Sequence, residues 1–201
     1  MSKKLEELQK YLEEMNRYNH VVTLLYWDMR TCMPKGGFEK HADAVTYFST
    51  EQFQMSVAEE LGNILDALMM PEEYENLDDT WKFIVKKMKK DFDKNKQIPT
   101  EVFESYVRAQ SEAEHFWEEA KNKSDYSIFA PKLARIIELT KEMTGYTDPG
   151  KDIYDALLDQ YEEGMDSATI DRIFGELKEA LVPLIASTKT AKYKPFLMKK
   201  C

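Results

Sequence analysis

Leu5, Leu8, Leu12, Met15, Asn19, Val22, Tyr26 and Met29 follow one another at alternating steps of three and four. That spacing draws a narrow, mostly apolar seam along one face of a helix of about seven turns. A strand cannot use it, because strand side chains repeat every two residues. Pro34 closes the segment, since the residue before a proline is pushed out of the α region. Trp27 and Asp28 therefore fall in the last turns, and Thr31 is placed to bond a carbonyl freed at the helix end. A carboxylate near a helix C-terminus opposes the dipole. Asp28 is thus expected to have a backbone N–H, a hydroxyl or a base from another helix as partner, and to hold the turn. Trp27 is expected to be a largely buried anchor.

The rest of the chain continues in helices. A Gly36-Gly37 turn precedes a second, marked by Phe38, Ala42, Val45 and Phe48. Ser56 and Glu59 read as a capping box for a third, whose inner face is Leu61, Ile64, Leu65 and Leu68. Pro71 ends it. A fourth follows Asp78-Asp79, with Trp81, Ile84, Val85, Met88 and Phe92 inward and lysines at 86, 87, 89, 90, 94 and 96 on a solvated face. Thr100 is the expected N-cap of a fifth, which buries Phe103, Val107, Gln110, Ala113 or Glu114, and Trp117. The sixth starts near Pro131, turns Leu133, Ile136, Ile137 and Met143 inward, and ends before Gly145. A short seventh spans 153–158. The last carries Ile170, Ile173, Phe174, Leu177 and Leu181, starts at Asp166 or Ser167, and is kinked or split by Pro183.

No segment alternates with period two for long enough to form a good strand. The expected fold is all-α, a bundle of about seven to eight helices without a sheet. Residues 1–188 are expected to form a single domain, and the basic, aperiodic 189–201 a loose tail. The net charge of −9 leaves no excess of Lys and Arg to displace counterions, which argues against nucleic acid as a partner. Two cysteines, Cys32 and Cys201, are too few for a disulfide scaffold. With no signal-peptide pattern and no long apolar run, the chain reads as cytoplasmic, without a membrane partner.

The chain has only three histidines to support metal chemistry. His115 has the best surroundings, with Glu112 one turn before it. Glu112-x-x-His115 is half of a di-iron bundle signature, and the second half is missing. His115-Phe116-Trp117-Glu118-Glu119 has the outline of a reversed zincin motif with Glu119 in place of the second histidine. That leaves too few helix-borne ligands for a catalytic zinc. Glu112 and His115 stay as weak metal candidates. H-E-x-x-H, G-x-S-x-G, a P-loop and a Gly-rich dinucleotide turn are all absent, and no catalytic or cofactor-binding residue can be named.

Trp27-Asp28-x-x-Thr31-x-Met33-Pro34 after a long amphipathic helix resembles the N-terminal signature of the carboxypeptidase Taq family of metallocarboxypeptidases. Later landmarks follow in the family's order. They are Ile98-Pro99 before a helix, Trp117 in that helix, Phe129-x-Pro131-x-Leu133, and Tyr154-Asp155-x-Leu157-Leu158-x-x-Tyr161-Glu162-x-Gly164-Met165. The resemblance covers about Leu5 to Ser187. It implies the helical N-terminal part of a peptidase more than twice as long, whose zinc or other divalent metal sits on an H-E-x-x-H helix in the part that follows. Trp27, Asp28, Thr31 and Pro34 carry over as structural residues. No zinc ligand and no catalytic acid or base does.

Three readings follow. In the first, the chain is the helical part of a zinc-dependent carboxypeptidase that removes C-terminal residues from peptides, with no catalytic site of its own. In the second, it is a free-standing interaction module that binds a peptide or a protein partner. In the third, it is a metal-binding bundle around His115. Helices that would face the catalytic half leave apolar surface behind, so a homodimer or a helical protein partner is expected.

Overall fold

The computed structural model of the chain describes residues 2–188. Among these residues there are nine α-helical segments and no strand. They are α1 Lys3–Thr31, α2 Phe38–Ser56, α3 Glu59–Leu68, α4 Pro71–Tyr74, α5 Asp79–Asn95, α6 Thr100–Lys123, α7 Ala130–Thr147, α8 Ile153–Leu158 and α9 Ser167–Thr188. Eight correspond to the helices read from the sequence. The addition is α4, a single turn opened by Pro71, which ends α3 and then sits in the first turn of the next helix, where its missing N–H costs nothing. The tail expected at 189–201 lies outside the described residues.

The chain divides into two compact units, Met1–Gly150 and Lys151–Cys201. The division falls where α7 ends and Pro149 and Gly150, the latter at φ 86°, break the helical path.

In the first unit α1 packs on α2 and α3, α2 on α6, α6 on α7, and α3 on α5. The main core joins Leu5 and Leu8 of α1 to Leu61, Ile64, Leu65 and Leu68 of α3, and to Val85 and Phe92 of α5. Each such side chain contributes about 1.5–3 kcal/mol by leaving water. The seam of α1 is therefore spent in two places. Its first turns face α3, Val22 is buried farther on, and Tyr26 and Met29 are half-buried. Asn19, between the two, is exposed.

Helix ends are satisfied mostly by local means. At the end of α2, the Tyr11 hydroxyl donates to the Met55 carbonyl at 2.8 Å and Ser56 Oγ donates to the Phe53 carbonyl at 2.7 Å. Burial pushes the Tyr11 phenol above its ordinary pKa, and Glu60 and Glu14 add to this. Ser56 thus finishes α2 and does not open α3. The capping box expected with Glu59 does not form, and the N-cap of α3 is Ala58. Thr100 is likewise the first residue of α6, with Pro99 as its cap. Gly145 lies inside α7, which runs on to Thr147. Asp78 caps α5 as the spacing implies, accepting from the Trp81 amide at 2.8 Å.

The second unit is small. Asp152 caps α8 through the Tyr154 amide at 2.9 Å. Asp155 Oδ1 accepts from the backbone amide and hydroxyl of Ser167, tying α8 to the start of α9. Asp159 accepts from the amide of Gly164, whose φ of 85° suits glycine alone. No residue of α9 is buried.

Candidate functional site

The end of α1, the turn after it and the second half of α6 meet around a cleft of ≈ 210 Å³. Pro34 stops α1, and the freed carbonyls are taken up at once. The amides of Cys32 and Met33 both donate to the Asp28 carbonyl at 2.9 Å, and Thr31 Oγ1 donates to the Trp27 carbonyl at 2.7 Å. That turn brings Met29, Arg30, Met33 and Phe38 to face Glu114, His115, Trp117 and Glu118 of α6. Arg30 and Glu114 form an ion pair across the cleft.

Asp28 differs from expectation in detail. Its backbone carbonyl, not its carboxylate, holds the turn. The half-exposed carboxylate reaches to α2, with Oδ2 3.7 Å from His41 Nδ1. His41 Nε2 donates to the Leu25 carbonyl at 2.6 Å, so its ring is oriented by α1. Asp28 and His41 therefore link the first two helices where the dipole of α1 is negative.

Trp27 is 68% exposed, and the expected buried anchor is not there. The reason is helical geometry. Tyr26 holds the seam position, and its immediate neighbour is rotated by about 100° away from it. Burial raises the Tyr26 phenol above its ordinary pKa, with Glu114 adding to the effect. Trp117 is 47% exposed for the same reason, because Ala113 and Ala120 take the inner side of α6. Its ring is covered by the Lys121 ammonium at 4.9 Å.

His115 stacks on Phe38, with ring centroids 4.5 Å apart at 22°, and meets Phe116 edge-on at 5.7 Å. Glu112 turns the other way and pairs with Lys132 of α7 at 2.7 Å. The two weak metal candidates are thus drawn apart by different neighbours. His20 is exposed, His41 is engaged with α1, and Cys32 is exposed. Among the described residues no three or more His, Cys, Asp or Glu side chains gather as a ligand set. At ≈ 210 Å³ the cleft is smaller than the roughly 300–1,000 Å³ of ordinary ligand pockets. Its volume suits one side chain better than a peptide.

The family model of carboxypeptidase Taq (M32) metallopeptidases matches residues 7–200. The chain belongs to this M32 family. Carboxypeptidase 1 of Bacillus subtilis is 36% identical over 190 residues, which are 94% of this chain and 38% of that protein. Thermostable carboxypeptidase 1 of Thermus thermophilus is 33% identical, over 81% of this chain and 34% of its own length. A solved structure named BsuCP superposes on 96% of this chain with a TM-score of 0.86, at 36% identity, using 39% of its own length. A Pyrococcus furiosus carboxypeptidase structure gives 0.74 at 28% identity over 94% of this chain and 38% of its own. The chain thus spans about two fifths of its M32 relatives and corresponds to their N-terminal part. The metal implied by the family name has no fitting ligand set among the described residues.

The cleft was not legible from the sequence. Arg30 carries no local signature, no motif that holds Met33 or Glu118 marks them as the lining of a cleft, and Phe38 and His115 are brought together only by the packing of α2 on α6.

Proposed function

We propose that this chain provides the helical N-terminal part of an M32 metallocarboxypeptidase, a cytoplasmic peptidase that removes C-terminal residues from peptides. In this reading the zinc or other divalent metal is held by the part of the fold to which nothing here corresponds. That metal would polarise the scissile carbonyl and activate water. This chain's residues hold the helices beside that centre and do no chemistry on the peptide. The observation that carries the reading is the match across residues 7–200 to a family whose Bacillus subtilis member is covered over only 38% of its length.

A chimera tests it. The residues of Bacillus subtilis carboxypeptidase 1 that match this chain are replaced by the chain itself. The expected result is chelator-sensitive release of C-terminal amino acids by the chimera. The chain alone is expected to give no turnover with Zn2+ or Co2+ and to retain no stoichiometric metal after dialysis. A folded chimera without activity, or turnover by the chain alone, would remove the reading.

A further inference from the structure

We infer that the apolar face of α9 is the surface on which the remaining part of the M32 fold docks. This inference rests on the proposed function. Ile170, Phe174, Leu177, Leu181 and Leu184 repeat at steps of four and three, and Ile185 widens the stripe. On a helical projection they span about 100° of one face, broader than a two-position coiled-coil seam and typical of a helix turned toward a globular core. Yet Phe174 is 60% exposed, Leu184 58% and Ile185 56%, and no residue of the 22-residue helix is buried. Asp171, Arg172, Glu176, Lys178 and Glu179 occupy the remaining faces, so the helix is amphipathic with its apolar side uncovered.

Two observations identify the occupant. The superposition on the BsuCP structure covers 96% of this chain, yet leaves the larger part of that chain without a counterpart here. A helix patterned for a core thus belongs to a fold that has more chain to offer. The second observation is area. From Ile170 to Ile185 the stripe is roughly 25 Å long and 10 Å wide, on the order of 250 Å2. A stable pair of identical chains needs about 800 Å2 per partner. A second copy meeting this stripe alone falls well short, whereas a larger fold closing around the helix needs only to bury it. The partner's chemistry follows: an apolar helical groove from the M32 portion beyond the matched residues, whether on the same polypeptide or another.

The test uses Leu177→Asp with Leu181→Asp, made both in this chain alone and in the chimera with Bacillus subtilis carboxypeptidase 1. In the chain alone the two positions face water, so the melting temperature is expected to stay put. In the chimera a loss of about 5 °C or more is expected, with activity falling as the docked helix is released. Glu179→Ala on the opposite side is the control and is expected to change neither. An active chimera that keeps its stability with both aspartates overturns the inference and leaves the proposed function standing. A chimera that folds but is inactive without either aspartate overturns the proposed function instead. A wild-type dimer of the chain alone, dissolved by the same two aspartates, assigns the face to a second copy and also overturns the inference.

Discussion

The Phe92 ring of α5 lies so close to Gly62 of α3 that a Cβ at Gly62 would stand 2.6 Å from its Cζ. The missing side chain lets the ring rest against the α3 backbone, inside the main core. Glycine costs a helix interior about 1 kcal/mol relative to alanine, so Gly62→Ala carries a propensity gain. Here overpacking of roughly 1–3 kcal/mol opposes it. Phe92 cannot swing away cheaply, since it is itself buried. Gly62→Ala is expected to lower the urea midpoint, a net loss of about 1 kcal/mol. Adding Phe92→Leu is expected to cost less in the Gly62→Ala background than in wild type, which a double-mutant cycle measures.

The exposed Trp27 gives a second expectation. Its indole is open to solvent in this chain, so Trp27→Phe is expected to leave stability within about 0.5 kcal/mol. It should also remove the most acrylamide-quenchable part of the fluorescence, since Trp81 is half-buried and Trp117 lies under Lys121. A large stability loss, with emission already blue-shifted in wild type, would place Trp27 in a core after all.

Trp27 also marks the limit of what the sequence discloses. The helices follow from periodicity, because a three-four seam dictates both the conformation and the inner face. Periodicity also settles which of two neighbours faces inward, and Tyr26 already held that place. Tryptophan is often buried, but one position after Tyr26 the helix turns Trp27 outward. The Ser56–Glu59 capping box failed differently. The same residues are compatible with ending one helix or starting the next, and the choice is made by Tyr11, a residue far away in sequence that takes up the Met55 carbonyl. The cleft at the end of α1 was illegible for the same reason. Its lining depends on which helix turns pack together, and no local pattern reports that.

Charge pairs in the first unit should separate by burial. The Asp148 side chain is 5% exposed and lies 3.0 Å from Lys94 Nζ, joining the end of α7 to α5. Lys87 and Asp91 pair at 2.8 Å with both side chains nearly half exposed. Asp148→Asn is expected to cost roughly 1–3 kcal/mol, because a buried, charge-assisted bond is weakened. Asp91→Asn is expected to cost at most about 0.5 kcal/mol. Adding salt should shrink the second difference and leave the first nearly unchanged. Equal costs for the two substitutions would contradict the burial-based account.

The start of α9 gives a pH dependence. Asp166 stands at its N-cap, where its carboxylate accepts from the Thr169 amide at 2.8 Å. Hydrogen bonds from the Thr169 hydroxyl and amide hold its carboxyl below the ordinary aspartate value. A depressed pKa in the folded state means that the unfolded chain takes up the proton first as pH falls. The cap's contribution is therefore fully present above the ordinary aspartate value of about 3.9 and is lost as pH drops through the lower, folded value. Asp166→Asn keeps the side-chain acceptor at every pH but gives up the negative charge that favours a helix N-terminus. Above about pH 5 the wild type should thus protect the first-turn amides of α9 at least as well as the Asn variant. Below the folded value the Asn variant should protect them better, because it cannot be protonated away. Hydrogen exchange on the two proteins, taken as a ratio at each pH to cancel the intrinsic rate, reads this crossing. Direct observation of the Asp166 carboxyl carbon by NMR supplies the midpoint. A midpoint at the ordinary aspartate value, or a ratio that does not change with pH, would show that Asp166 does not cap the helix in solution.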